Sequence, residues 1–437
     1  MSVRLLSAYY DALERGSCMP WSGRVVQVTG SVVESEGPYC SVGECCEILT
    51  HAGERLLGEI VGFNGSRVLS MPLRRPEGIR YGDRVVATGS PPAVGVGDRL
   101  LGRVIDAEGR PLDGSGPCRV ETQRAVDGSA PLPMERVAIR EPLGCGVRAI
   151  DAFLTCGRGQ RMGIFGGSGV GKSTLIGMMA RGTSADLTVV ALIGERGREV
   201  REFLEDALGG EGRQRSVVVV STSDQSPLLK LRAAHTATAV AEHFCGQGRH
   251  VLLVVDSLTR YAMAQRDVGL AAGEPPTAKG YTPSVFSLLP RLIERAGYFG
   301  RGSITGFYTV LMEGDDQQDP LVDAARSFLD GHIMLDRKLA IRNQYPPIAV
   351  LDSLSRLMPS VCSKEQMDKV RRLRTLLSEY ERSEDLIRIG AYQKGSDRLL
   401  DEAIALVPRI EEFLRQGADE RPGLQQSIDS LLQLNIG

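Results

Sequence analysis

Gly166-Gly167-Ser168-Gly169-Val170-Gly171-Lys172-Ser173 decides how this chain is read. It fits G-x-x-x-x-G-K-[ST] and sits between an apolar, strand-like run from Met162 to Phe165 and a helix-like run from Ser173 to Ala180. The pattern is that of a loop wrapped around phosphate. Glycines let successive backbone N–H groups turn inward, and the helix start adds the positive end of its dipole. Lys172 reaches the β and γ oxygens, and the Ser173 hydroxyl can ligate Mg2+. Gly166, Gly167, Ser168, Gly169, Val170, Gly171, Lys172, Ser173 and the following Thr174 are therefore the expected nucleotide contacts, with a nucleoside triphosphate and Mg2+ as the expected ligands.

Outward from the loop, strand-like and helix-like runs alternate. Leu187 to Ile193 precedes a helix from Glu199 to Leu208, Val217 to Ser221 precedes one from Leu228 to Phe244, and Val251 to Val255 precedes a loop. Ile304 to Leu311 and His332 to Leu335 are further strand candidates. Near-continuous apolar strands mean a parallel sheet covered on both faces. Ligands of such sheets bind at the carboxyl ends of the strands, and two acids fall there. Asp256 ends Leu252-Leu253-Val254-Val255 and is the second expected Mg2+-shell residue beside Ser173. Glu195 follows Ile193 and Gly194 and is the candidate for polarising the attacking water.

On the N-terminal side, Gly23 to Gly89 carries short β-branched runs separated by glycine, proline and acidic turns, which predicts a small β-barrel. Pro91, Pro92, Gly95 and Gly97 then punctuate the chain before a strand expected to begin at Leu100 to Val104. Beyond Ser363 the pattern is helical. Met367, Val370, Leu373, Leu377 and Tyr380 form one stripe, and Leu399, Ala403, Leu406, Ile410 and Phe413 another. At the start, Leu5, Leu6, Tyr9 and Leu13 share one helical face, which suits either docking to a partner or packing on the chain itself. The expected domains are a docking helix over 1–20, a barrel over 21–92, a P-loop ATPase domain over 93–360 and a helical domain over 361–437.

The 437 residues carry a formal net charge of −2, which offers nucleic acid no overall attraction. Nine cysteines, an odd number with no C-x-x-C pair, are read as thiols of a reducing compartment, and the Cys40, Cys45, Cys46 group as structural rather than zinc-binding. With no apolar run near the ~20 residues that span a bilayer, the expected location is cytoplasmic, without signal peptide or membrane anchor.

The phosphate loop, Gly194-Glu195-Arg196, Asp256-Ser257-Leu258-Thr259-Arg260, Gly273-Glu274-Pro275-Pro276 and Ser353-Leu354-Ser355-Arg356 together resemble the catalytic subunits of rotary-type ATPases. Within that superfamily the chain is most similar to flagellar type III protein export ATPases. The closer likeness is carried by Val61 to Gly65, Met71-Pro72-Leu73, Phe307 to Pro320 with Gln317-Gln318-Asp319, and Gly390 to Asp397. It spans about residues 20 to 415.

The resemblance implies an α/β P-loop (RecA-like) domain with an N-terminal β-barrel and a C-terminal helical domain, working as a homohexamer with nucleotide between subunits. It makes Arg356 a trans arginine finger, places Arg196 and Arg260 around the γ-phosphate and the catalytic glutamate, and gives Tyr345 to adenine stacking. It also implies partners: a regulatory dimer subunit at the N-terminal helix, a central stalk protein against Gly269 to Tyr281, chaperones, export substrates and an export gate at the inner membrane. The Gly269 to Tyr281 stretch is equally readable as a plain interdomain loop.

Three features depart from relatives. An acidic lever typical of ATP synthase catalytic subunits is missing, Arg398 stands where export ATPases commonly have proline, and Ser173 replaces threonine. A virulence injectisome ATPase is the alternative function, ahead of an ATP synthase subunit. A hexameric RNA translocase would require N-terminal aromatic and basic residues that Trp21 and scattered Tyr and Arg do not supply. A noncatalytic scaffold is at odds with Glu195 beside an intact loop.

Overall fold

The computed structural model describes residues 22–312, 314, 316 and 318–434. The expected docking helix over 1–20, Trp21, and Glu313, Asp315 and Gln317 of the flagellar-like stretch lie outside the described residues.

Two compact units divide the chain. The first is the N-terminal region up to Ala93, together with Ser226–Leu228 and Asp267–Pro275. Its strands β1 (Ser22–Thr29), β2 (Val32–Glu36), β3 (Cys45–Leu49), β4 (Arg55–Asn64), β5 (Arg67–Pro72) and β6 (Arg84–Ala87) close into a barrel in the order β1-β2-β5-β4-β3-β6. Every neighbouring pair is antiparallel. Alternation along each short strand sends Val25, Val33, Cys46, Ile48, Ile60 and Val85 to one interior, and closure leaves no open edge for another chain to pair with.

The second unit is built on a sheet. Its strands are β7 (Val104–Asp106), β8 (Arg161–Gly166), β9 (Leu187–Glu195), β10 (Ser216–Thr222), β11 (His250–Asp256), β12 (Ser303–Leu311), β13 (Gly331–Met334) and β14 (Leu354–Ser355). The order is β14-β13-β8-β12-β11-β9-β10-β7. All pairs from β13 to β7 are parallel, and β14 joins the edge antiparallel. Val189 to Ile193 and Val251 to Val255 are buried without alternation, as strands covered on both faces must be.

The helices that matter to the site and core are α1 (Arg148–Phe153), α2 (Lys172–Gly182), α3 (Gly197–Glu202), α4 (Pro227–Gly246), α5 (Leu258–Ala271), α6 (Pro283–Ile293) and α7 (Pro320–Phe328), followed by α8 (Lys364–Arg388), α9 (Arg398–Leu414) and α10 (Leu424–Leu432). Both apolar stripes expected after Ser363 point inward. Val370, Leu373 and Leu377 of α8 and Ala403, Leu406, Ile410 and Phe413 of α9 join one core with Ile150 and Phe153 of α1.

Two expected elements differ. The run Leu100 to Val104 is not a strand: Asp98–Leu100 forms a single 3-10 turn. Gly102 at φ +82 then turns the chain before pairing starts at Val104, because left-handed backbone interrupts a strand. The loop expected after Val255 is instead helix α5, 14 residues long. Leu258, Tyr261, Ala262, Gln265 and Val268 line its buried side, a stripe whose polar and small members obscure the period.

One buried polar cluster ties α4 and α5 to the end of α6. His235 meets the Tyr261 hydroxyl at 3.1 Å, Arg295 Nη1 at 3.4 Å and Asp127 Oδ1 at 3.5 Å. Burial pushes its pKa down to about 4. Asp127 and Glu242 oppose that shift, and Arg295 and Arg232 add to it. The unfolded imidazole takes a proton near pH 6.5, so stability is complete above that pH and is lost as pH falls toward 4. The loss amounts to about 3 kcal/mol. We expect the urea midpoint of the wild type to fall between pH 7 and 5 by more than that of His235→Gln. Parallel pH dependence in the two proteins would refute the assignment.

Candidate functional site

The phosphate loop links β8 to α2, and its glycines serve the backbone. Gly171, the residue before the first helical position, lies at φ +97, where a side chain would be strained. That conformation aims the first N–H groups of α2 into an open cleft. Lys172 is only 8% exposed, and its Nζ lies 3.3 Å from the Gly166 carbonyl. Burial lowers the Lys172 pKa, while Asp256 and Glu195 hold it up.

A cavity of about 680 Å3 opens above the loop. It is lined by Ser168, Gly169, Gly171, Lys172, Ser173 and Thr174 from the loop and α2, by Gly194, Glu195, Arg196 and Glu199 after β9, and by Asp256 and Arg260 after β11. Ser223 and Leu311 complete it. Of the loop residues expected to touch nucleotide, Gly166 and Gly167 lie beneath this surface, and the Val170 side chain, 2% exposed, is part of the core. These three have backbone to offer and no side chain.

Asp256 is buried. Burial raises its pKa, and a hydrogen bond from Thr309, Lys172 and Arg260 oppose the rise. The Thr309 hydroxyl, on the neighbouring β12, donates to Asp256 Oδ1 at 2.5 Å. Glu195 stands at the end of β9, beyond an irregularity between Ile193 and Glu195 in the pairing with β10. Its carboxyl is raised to about 7, first by burial, then by a hydrogen bond shared with Glu199 and by the charge of Asp256. Glu199 moves the other way because it accepts in that hydrogen bond. Arg196 is largely exposed and lies 3.6 Å from Glu199.

Ser173 and Asp256 supply the hydroxyl and carboxylate that suit a Mg2+ ion held mostly by phosphate and water. No cluster of three or more His, Cys, Asp or Glu residues able to hold a metal occurs among the described residues. Cys40, Cys45 and Cys46 form no disulfide among the described residues.

Two expected residues stand apart from this cleft. Tyr345 lies beside a separate apolar hollow of about 240 Å3, formed with Pro346, Pro347, Gln416, Ala418 and the Thr174, Leu175 and Met178 side of α2. Its carbonyl accepts from the Gln416 N–H at 2.8 Å, which ties this hollow to the segment after α9. Arg356 follows the edge strand β14 and is exposed; its Nη2 meets the Arg326 carbonyl at 3.3 Å, and it does not line the cleft of its own chain. The sequence reading missed Glu199, Ser223, Thr309 and Gln416. Only Glu199 had a local signal, one helical turn after Glu195.

A parallel sheet with a phosphate loop after one strand and carboxylates after two others defines a P-loop nucleoside triphosphatase. Comparison with known proteins narrows the class. Residues 146–355 match the nucleotide-binding domain model of the ATP synthase alpha/beta family, and 25–89 match that family's beta-barrel domain model. Residues 362–433 match the C-terminal domain model of the T3SS EscN ATPase.

The chain is 52% identical over 426 residues, 97% of each chain, to the flagellum-specific ATP synthase of Bacillus subtilis. It is 48% identical over 410 residues, 94% of this chain and 93% of the relative, to the type 3 secretion system ATPase of Xanthomonas euvesicatoria. The assembled ATPase EscN from the enteropathogenic E. coli type III secretion system superposes with a TM-score of 0.90 at 43% identity, covering 94% of this chain and 99% of that one. EscN in complex with its central stalk EscO superposes at 0.86, 42% identical, over 94% and 99%. The chain belongs to the ATP synthase alpha/beta family, in the group of flagellum-specific and type 3 secretion system ATPases, and it is an ATP hydrolase.

Thr309→Val would leave a buried carboxylate without its hydrogen bond, a loss of about 1–3 kcal/mol. We expect the Mg2+ concentration for half-maximal MgADP-dependent thermal stabilisation to rise roughly tenfold, and Thr309→Ser to stay near wild type. Equal Mg2+ dependence in Val and Ser variants would sever Thr309 from the site.

Proposed function

We propose that this ATPase powers flagellar type III protein export as a homohexamer whose catalytic sites are shared between neighbouring subunits. The observation that carries the chemistry is the convergence of Lys172, Ser173, Asp256 and Glu195 on one cleft.

In this reading the loop N–H groups, Lys172 and Thr174 grip the phosphates and fix the leaving group. Ser173 and Asp256 would hold Mg2+, which when bound would supply charge neutralisation to the phosphates. Glu195 accepts a hydrogen bond from the attacking water and orients it in line. Its raised pKa places it near neutrality, where a base combines availability with proton affinity. Arg260 and Arg196 face the γ-phosphate side. Tyr345 and the hollow beside α2 receive the adenine, whose flat apolar face suits an aromatic and two prolines.

Arg356 reaches the neighbouring subunit's phosphates. Its absence from its own cleft supports this reading, as does the similarity to an assembled EscN. A central stalk protein against the stretch Gly269 to Tyr281 is supported by the similarity to EscN in complex with its central stalk EscO. The flagellar assignment is favoured over the injectisome by the Gln317-Gln318-Asp319 segment, most of the other motif stretches being shared with injectisome ATPases. The regulatory subunit at the N-terminal helix, chaperones, export substrates and the gate at the inner membrane complete the proposal. None of the described helices is long and apolar enough to cross a membrane, so attachment there would run through protein contacts.

Glu195→Gln should lower turnover by about 10^2- to 10^4-fold with nucleotide affinity retained; unchanged turnover would remove Glu195 from catalysis. Arg356→Ala should lose about 10^3- to 10^5-fold. Mixing it with Lys172→Ala chains, which retain the finger, should restore part of the activity, and no rescue would refute the shared site. In a strain lacking the gene, wild type but not Lys172→Ala should return hook and filament protein to the medium. Normal secretion without the gene would overturn the flagellar assignment and leave the ATPase standing.

A further inference from the structure

A second cavity, of about 450 Å3, lies at the amino ends of β11 and β12, whose carboxyl ends carry Asp256 and Leu311 in the nucleotide cleft. Its wall includes Cys245 and Gly246 from the end of α4 and Arg301, Gly302 and Ile304 from the start of β12. A strand of seven residues separates the two sites by roughly 20 Å, so this cavity is no extension of the first.

Arg295 gives it chemical character. The side chain is 1% exposed. Its Nε donates to Glu242 Oε1 at 2.7 Å and its Nη1 to the Val126 carbonyl at 2.7 Å. The Nη2 group is buried and has no hydrogen-bond partner among the described residues. A buried guanidinium N–H left unmade is costly. Gly128, which also lines the cavity, faces that group: a Cβ built there would stand 3.0 Å from Nη2. Glycine thus lets this segment approach the Arg295 nitrogen that is left unsatisfied, where a larger residue would press on it.

The surrounding charge is unbalanced in the same sense. Arg124 and Arg301 line the cavity with Arg295, against the single carboxylate of Glu242. Both oxygens of that carboxylate are engaged, Oε1 by Arg295 and Oε2 by Arg124 at 3.0 Å. The Cys245 thiol adds no anion, since burial pushes its pKa up to about 11. Ala125, Pro131, Phe299 and Ile304 supply the remaining, apolar wall. The size and the mixture of apolar surface with a few convergent polar groups are those of a small-molecule site.

We propose that this cavity binds a small organic anion, an apolar body carrying a carboxylate or phosphate whose oxygen takes the free Nη2 of Arg295, with Arg124 and Arg301 at the rim.

The test is calorimetric titration of the full-length protein, saturated with MgADP so that the nucleotide cleft is filled. The probes are 1-naphthoate, 1-naphthyl phosphate and neutral 1-naphthamide. At least one anion should bind, and the amide should bind about tenfold more weakly or not at all. Preference for naphthoate would assign a carboxylate ligand, and preference for the naphthyl ester a phosphate. The exposed rim variant Arg124→Gln/Arg301→Gln should weaken the anion about tenfold, and Ser129→Trp should block it. Neither substitution removes the buried Arg295, so folding is monitored by the MgADP affinity, which should not change. No anion binding up to millimolar concentration, equal binding of the amide, or wild-type affinity in both variants would each overturn the proposal.

Discussion

Lys172 carries its charge with 8% of its surface exposed, and much of the catalytic cleft follows from making that tolerable. A buried cation is stable only beside well-held negative charge. Asp256 and Glu195 provide it, but each is itself disfavoured by burial. Asp256 therefore depends on Thr309, which the pairing of Val255 with Tyr308 brings alongside. Arg260 favours the charge on Glu195, whereas Glu199 and Asp256 both raise its pKa and so oppose it; Glu199 is itself steadied by Arg196 and Arg198 at the cleft mouth. Lys172 therefore rests on one carboxylate held by a hydrogen bond and on a second that Glu199 pushes toward its neutral form. That sequence of dependencies belongs to the carboxyl edge because both faces of the sheet are occupied by core and only strand ends remain for polar groups.

What the sequence made legible was local. The phosphate loop, Glu195 and Asp256 each occupy one contiguous strand-to-turn segment, so type and spacing suffice to place them. The stripes of α8 and α9 were legible because five apolar residues each keep helical period. Thr309 was not, since nothing in Phe307 to Leu311 distinguishes a hydroxyl facing Asp256 from one facing core; the register between β11 and β12 decides it. Helix α5 was hidden by a buried face that includes Gln265, and the first strand of the second unit was misplaced because Leu100 to Val104 is apolar enough for a strand but turns at Gly102. Gln416 joins Tyr345 from a segment some 70 residues later, a juxtaposition that only tertiary structure reveals.

Arg356 and Arg295 show opposite fates for an arginine. Arg356 leaves the sheet edge exposed, its Nη2 3.3 Å from the Arg326 carbonyl. The role proposed for it, meeting phosphate on a neighbour, would require it to be left this way, because a strong partner at home would compete with the target. Arg295 instead is locked inside with a carboxylate on one side and a carbonyl on another.

The comparison with Lys172 sharpens what is unusual about Arg295. Both are buried cations at opposite ends of the same strands. Lys172 has two carboxylates disposed toward it, whereas Arg295 shares its one hydrogen-bonded carboxylate with Arg124 and keeps a nitrogen unbonded. If that cluster existed only to join α4 to the end of α6, an apolar residue of similar volume would serve as well or better, since buried ion pairs seldom add net stability. An opening lined by the residue that carries the unbonded nitrogen is better explained by something that enters it than by packing.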